Sequence, residues 1–182
     1  MSGHNKWAQI KHKKAIADAK CGKNFSKLLA AITAAAKSGD TNPDFNPRLR
    51  SAVKAARDAQ MPSENIERAI KRAAESGVQV EEIIMEAYGP GGIALLIEAV
   101  TDNPNRTVPE IKKILNNNNG KWAEAGSVLW AFEQDPQSRE WKAKFPVPLA
   151  DEQAETLLAL VEALEEHNDV QRVVTNAAEE NE

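Results

Sequence analysis

Cysteine is nearly absent from this chain: Cys21 stands alone, so no disulfide framework can be built and the chain is expected to fold in a reducing compartment. Histidine is almost as sparse. His4, His12 and His167 are scattered, and with Cys21 they offer none of the clustered spacings of a structural zinc site, so no metal is expected. No run approaches the roughly 18 apolar residues that a membrane span requires. The first fourteen residues are polar and basic where a secretory leader would carry an apolar core. These absences argue against a disulfide-stapled secreted domain, a zinc module and a membrane protein. A soluble cytoplasmic protein is the expectation.

At 182 residues and 42% hydrophobic content, the chain suits one large domain or two modest ones, and two lobes are expected. Its net charge of −4 hides a sharp segregation. Residues 1–75 carry 15 Lys+Arg against 7 Asp+Glu, a balance of +8, whereas the remainder carries 8 against 20, or −12. Attraction to phosphates and counterion release act on a local patch, so an acidic whole molecule can still carry a nucleic-acid-binding half.

Residues 1–77 read as helices separated by clear punctuation. Trp7–Ala19 is rich in Ala, Lys and Ile and is interrupted at Gly22. Phe25, Leu28, Leu29, Ile32, Ala35 and Ala36 recur at helical spacing up to Ser38-Gly39. Asn46-Pro47 predicts an N-cap followed by proline at the first helical position, with Leu49, Val53 and Ala56 inward. A further helix begins near Met61-Pro62-Ser63, turns Ile66, Ile70 and Ala73 inward, and stops at Gly77.

The pattern changes at residue 78. Glu82–Tyr88 and Ile93–Thr101 read as strands joined by Gly89-Pro90-Gly91-Gly92, a hairpin signal. Thr107, with Glu110 three residues on, predicts a capping box opening a helix that ends in the Asn116–Asn119 run. Ser127–Glu133 is read as a strand, Asp135–Glu140 as a polar linker, and Trp141–Val147 as a short edge piece limited by its prolines. An amphipathic helix starts at Ala150-Asp151, a last strand covers Val170–Val174, and residues 179–182 form an acidic tail. Together these predict an α+β protein: an N-terminal helical bundle, then a ferredoxin-like split βαβ domain at 78–178 whose antiparallel sheet carries two helices on one face.

The chemistry concentrates in Gly3–Lys27, where His4, Lys6, Trp7, Lys11, His12, Lys13, Lys14, Lys20, Lys23 and Lys27 face one acid, Asp18. Lysines neutralise phosphates without reading bases, and Trp7 and the imidazoles offer faces on which an unpaired base can stack. A solvated helix face is the plainer alternative, but such faces usually alternate charge sign to gain i,i+4 pairs. Arg48, Arg50 and Lys54, with Arg57, Arg68, Lys71 and Arg72 beyond them, form a second basic group. Nearby Asp58, Glu64 and Glu67 explain it equally well as intramolecular pairing. Gly89–Gly92 lacks the lysine and the following helix of a phosphate loop and is read as a turn. Thr101–Thr107 is read as turn and cap chemistry, with Arg106 able to reach outward. No carboxylate is paired with a nucleophile or a histidine in a motif, so no enzyme, cofactor or small-molecule substrate is expected.

Several segments together resemble the YebC/PmpR family, which includes the translational activator of mitochondrial cytochrome c oxidase. The resemblance rests on residues 3–14 (Gly3-His4-Asn5-Lys6-Trp7 onward), Asn46-Pro47-Arg48-Leu49-Arg50 and residues 61–72 in the bundle. In the body it rests on Tyr88–Gly92, Thr101-Asp102-Asn103 with Asn105-Arg106-Thr107, and Gly126-Ser127-Val128 with Phe132-Glu133. It implies a cytoplasmic, DNA-binding transcriptional regulator or, as in other members, a ribosome-associated factor that aids synthesis of difficult stretches. It points to Lys6, Trp7, Lys11, His12, Lys13 and Lys14 as contacts. It also implies a longer chain with an additional lobe, replaced here by a linker at 134–143. Lysines beside stackable rings, with no helix-turn-helix in view, lean toward ribosomal RNA, while the family leans toward DNA. A protein-interaction adaptor, its acidic body on a basic partner, is the reading from another class.

Overall fold

The computed structural model describes residues 7–10, 25–75, 77 and 79–178. Residues 7–10 are helical; the rest of the expected first helix lies outside the described residues. Three helices make the bundle: α1 (Phe25–Lys37), α2 (Pro47–Asp58) and α3 (Ser63–Ala74). Ile32, Ala35, Leu49, Val53, Ile66 and Ala73 meet in its core, as the 3.6-residue spacing predicts. Phe25, at the first position of α1, departs from that pattern and is exposed.

Asn46 holds the bundle's tightest corner. Its Oδ1 accepts the Leu49 N–H at 3.1 Å, and its Nδ2 donates to the carbonyls of Ala35 (2.8 Å) and Asp40 (2.7 Å). One buried side chain thus caps α2, ties it to α1 and closes the loop between them. Asn46→Ala is expected to destabilise the protein by about 2 kcal/mol, losing the cap and stranding two carbonyls. The midpoint of urea unfolding measures this.

In the body, β1 (Glu81–Tyr88) and β2 (Ala94–Thr101) pair antiparallel over their full length, from Glu81↔Thr101 to Tyr88↔Ala94. The turn between them is the one read from sequence, with Gly91 at φ +72° and Gly92 at φ +75°, a region open to glycine at little cost. Helix α4 (Pro104–Asn117), strand β3 (Lys121–Ala123), β4 (Phe132–Gln134), β5 (Trp141–Ala143), helix α5 (Asp151–Glu165) and β6 (Val170–Thr175) follow. The main sheet has the order β3-β1-β2-β6 with antiparallel neighbours throughout. Strands β2 and β3 are therefore parallel, with β1 between them and α4 crossing over: a split βαβ unit. Ile111, Leu115, Leu157, Leu160 and Leu164 pack on Met85, Leu95 and Ile97, so α4 and α5 cover one face.

Three local expectations are corrected. Helix α4 starts at Pro104 with Asn103 as N-cap, a turn before Thr107. Proline sets φ for the first helical position, and Thr107 is drawn inside the body, its hydroxyl 2.6 Å from Asp169 Oδ2 and 2.7 Å from Thr101 Oγ1. Ser127–Glu133 is mostly not a strand: a 3₁₀ turn spans Leu129–Ala131, and extended backbone begins only at Phe132. The cause is Glu86, whose carboxylate takes the amides of Gly126, Val128 and Leu129 and so withholds them from any ladder. The linker at 134–143 proves to be most of a hairpin, β4 against β5 (Phe132↔Ala143, Gln134↔Trp141), with Asp135 Oδ1 accepting the Gln137 and Ser138 amides in its turn. Strand β3 was not foreseen; three residues after a polar Asn-rich run carry too little pattern to read.

The β4–β5 ribbon covers part of the second sheet face, where Val128, Ala131 and Phe132 meet Ala94, Leu96 and Val174. The remainder of that face, Glu82, Ile84, Glu98 and Val100, looks across a cleft toward α1 and α2.

Candidate nucleic-acid interface

His4, Lys6, Lys11, His12, Lys13, Lys14, Lys20 and Lys23 lie outside the described residues. Trp7 does not, and its position corrects the expectation of a stacking face. It is 6% exposed and belongs to the same core cluster as Met85, Leu95 and Leu160. An indole carries more apolar surface than any other side chain, and burying it here outweighs presenting it to solvent. Trp7→Phe is expected to cost about 1 to 2 kcal/mol of stability from the volume lost, while nucleic-acid affinity per folded molecule stays unchanged. Thermal unfolding and a binding titration of the same variant separate the two.

Of the described cations of the first and second groups, Lys27, Arg48, Arg50, Lys54 and Lys71 meet protein partners. Lys27 Nζ donates to the main-chain carbonyl of Glu165 in the last turn of α5. Arg48 pairs with Glu82 of β1, joining bundle to body. Arg50 donates from Nε to the Pro43 carbonyl (3.1 Å) and from Nη2 to that of Asp44 (2.7 Å), stitching the loop ahead of α2. Lys54 pairs with Asp58 one turn on at 2.7 Å. Each pair is exposed enough to contribute only about 0 to 1 kcal/mol, so the attraction of these side chains for phosphate is reduced rather than abolished. Arg57 on α2 and Arg68 and Arg72 on α3 are exposed and have no ion-pair partner among the described residues. Arg68 and Arg72 share one face of α3 at i,i+4 spacing. With Arg57 they are the bundle's guanidinium groups without an ion-pair partner among the described residues.

In the body, Arg106 turns inward on its own fold, bridging Asp102 (3.0 Å) and Asp169 (2.9 Å). Burial alone would raise the Asp169 carboxyl, but the hydroxyl of Thr107, the guanidinium of Arg106 and the hydroxyl of Thr101 together hold it below its ordinary value. His167 Nδ1 accepts the Asp169 N–H at 3.1 Å, leaving Nε2 to face Glu110 at 2.8 Å. This network closes the end of the sheet on α4 and accounts for the Thr101–Thr107 motif as structure. The signal was local in sequence; its partners, His167 and Asp169, were not. No group of His, Cys, Asp and Glu among the described residues is arranged to hold a metal. No helix there is long and apolar enough to cross a membrane.

Comparison with known proteins agrees with the motifs. Residues 5–76 match the TACO1/YebC protein N-terminal domain, and residues 80–139 and 135–177 match the TACO1/YebC second and third domain. The last two pieces meet in the β4–β5 turn. A relative in Dictyoglomus turgidum named "probable transcriptional regulatory protein" is 56% identical over 136 residues, 74% of this chain and 55% of the relative. One of the same name in Chlorobium luteolum is 49% identical over 165 residues, 90% of this chain and 64% of the relative. The chain thus spans little more than half the length of most of these curated relatives. The crystal structure of a conserved hypothetical protein from Aquifex aeolicus is 32% identical with a TM-score of 0.77, covering 87% of this chain and 90% of that one. With bundle and body each matched across nearly their whole length, the chain belongs to the TACO1/YebC family.

Proposed function

We propose that this protein is a non-enzymatic, nucleic-acid-binding regulator of gene expression, acting in the cytoplasm as a DNA-binding transcriptional regulator. The observation that carries this reading is the charge segregation: +8 over residues 1–75 against −12 over the rest. The names of the relatives in Dictyoglomus turgidum and Chlorobium luteolum support the regulatory part. Lysine-rich contacts neutralise phosphate without reading bases, so the arm supplies affinity and leaves sequence preference to groove shape and to arginines such as Arg68 and Arg72.

The second reading, a translation factor on ribosomal RNA, draws on the same lysines. It loses one support, because Trp7 is buried and has no face for an unpaired base. Titrating the full chain with duplex DNA and with single-stranded RNA of equal length, across a salt series, tests the proposal. Tighter binding to duplex with a steep salt slope supports it. Preference for RNA, together with sedimentation on ribosomal particles, moves the assignment to translation, and binding of neither leaves the adaptor reading standing.

A further inference from the structure

Along β1 the main sheet has an edge that is open for part of its length. Gly89 N–H donates to the Ile93 carbonyl at 2.8 Å and so fixes the phase of the β1–β2 ladder. In an antiparallel pair, facing residues alternate between bonding each other and turning their N–H and C=O outward. Glu81, Ile83, Met85 and Ala87 therefore bond to β2, while Glu82, Ile84, Glu86 and Tyr88 turn their main-chain groups away from it. Strand β3 meets the last two, at Glu86↔Ala123 and Tyr88↔Lys121, and goes no further. Beyond Ala123 the chain is drawn off the edge by the Glu86 carboxylate, which takes the amides of Gly126, Val128 and Leu129. Glu82 and Ile84 thus each keep an N–H and a C=O that no main-chain group among the described residues answers.

The side chains along this stretch are also unspent. Ile84 is a large apolar group left 48% exposed, and Ile83, on the opposite face, is only partly buried against the core. Arg48 holds the Glu82 carboxylate. Glu81 is exposed and has no ion-pair partner among the described residues. The other edge of the sheet, β6, is interrupted by a β-bulge opposite Glu98 and Ala99 and is bridged at Ala177 by Val147, features that blunt an edge. Strand β1 has neither.

We propose that this stretch of β1 accepts an extended segment of a basic partner protein as an added strand, antiparallel to β1 and in line with β3. Main-chain donors and acceptors repeating at every second residue are matched by another extended backbone, the mode of recognition by strand addition. Side chains then select the segment, because residues facing each other across an antiparallel pair are in contact. Positions facing Ile84 and Ile83 take apolar residues, and the next two, facing Glu82 and Glu81, take lysine or arginine. Charge disfavours a second copy of this chain as the occupant. Pairing β1 with β1 would bring together two bodies that each carry −12 over residues 76–182. The inference goes beyond nucleic-acid binding and does not depend on it.

Titrating the isotope-labelled full chain with the blocked peptide acetyl-Thr-Val-Val-Lys-Lys-Thr-amide tests it. The amide signals of Glu82 and Ile84 are expected to shift on saturation at up to millimolar peptide. Methylating the peptide nitrogens of the first valine and the first lysine, which face Ile84 and Glu82, is expected to weaken binding about tenfold or more, the size of two hydrogen bonds. Replacing both lysines of the peptide with glutamate is expected to weaken it about fivefold or more. Ile84→Pro removes one outward donor and leaves the β2 ladder intact, a place where a strand tolerates proline, and is expected to lose binding by about tenfold. Should that variant fail to fold, Glu81→Lys, at an exposed and unpaired position, is expected to reverse the preference between the lysine and glutamate peptides. No shift at Glu82 and Ile84 would overturn the proposal, as would equal binding of the methylated peptide. A dimer of the parent chain that Ile84→Pro dissolves would also overturn it, assigning the edge to a second copy.

Discussion

Replacing Lys11, Lys13 and Lys14 together with glutamate is expected to weaken nucleic-acid binding by at least about a hundredfold near 0.15 M salt and to flatten its salt dependence. Each lysine lost from a phosphate removes about 0.9 from the slope of log affinity against log salt on duplex DNA, so three remove about 2.7. Carried from molar salt to physiological salt, that slope alone corresponds to about two decades, and the introduced carboxylates add repulsion. The contrast lies in Lys54→Gln, which removes a cation already paired one turn away with Asp58 and is expected to change affinity by about twofold at most. Equal losses from both variants would place the interface on the bundle surface instead of the arm. Unchanged binding in the triple variant would sink the arm as anchor while leaving the fold untouched.

Glu86→Ala is expected to cost about 3 to 5 kcal/mol, enough to threaten folding of the whole body. Glu86 is 6% exposed on β1 and accepts the amides of Gly126 at 2.5 Å, Val128 at 2.7 Å and Leu129 at 3.0 Å. Truncation leaves these three donors without an acceptor in the segment just ahead of β4. Burial by itself raises this carboxyl, and the three amide bonds more than offset it, so the group ends below its ordinary value. The unfolded chain restores a carboxyl near pH 4.3, roughly the free glutamate value. Stabilisation from Glu86 is therefore complete above that pH and is lost as pH falls through the lower folded value. Asp169 acts in the same direction. Urea unfolding at stepped pH should show stability falling on acidification in the parent. Glu86→Gln should be less stable at neutral pH and lose part of that dependence. A parallel pH profile in the two proteins would mean that the carboxylate charge does not hold the loop.

Much of the fold was legible along the chain because its causes are local. The stripe Leu49, Val53, Ala56, the Asn46-Pro47 cap and the Gly91-Gly92 turn each concern residues a few positions apart, and each stands where the pattern put it. The strongest family motifs were equally visible. Less visible was what they are for: Gly126-Ser127-Val128 reads as a signature, but its reason is a carboxylate about 40 residues earlier.

The sequence by itself determined the α+β class, the order of the principal elements, the bundle's core stripes and the charge asymmetry, all properties of composition and short-range periodicity. Only the tertiary structure decided where α4 begins, that the supposed linker is a hairpin, that Trp7 serves the core, and that Arg48 and Lys27 tie bundle to body. For Trp7, Arg48 and Lys27 the deciding partner lies far along the chain. A polar or aromatic side chain takes whichever environment satisfies its surface and its donors, and that environment exists only once the lobes have come together.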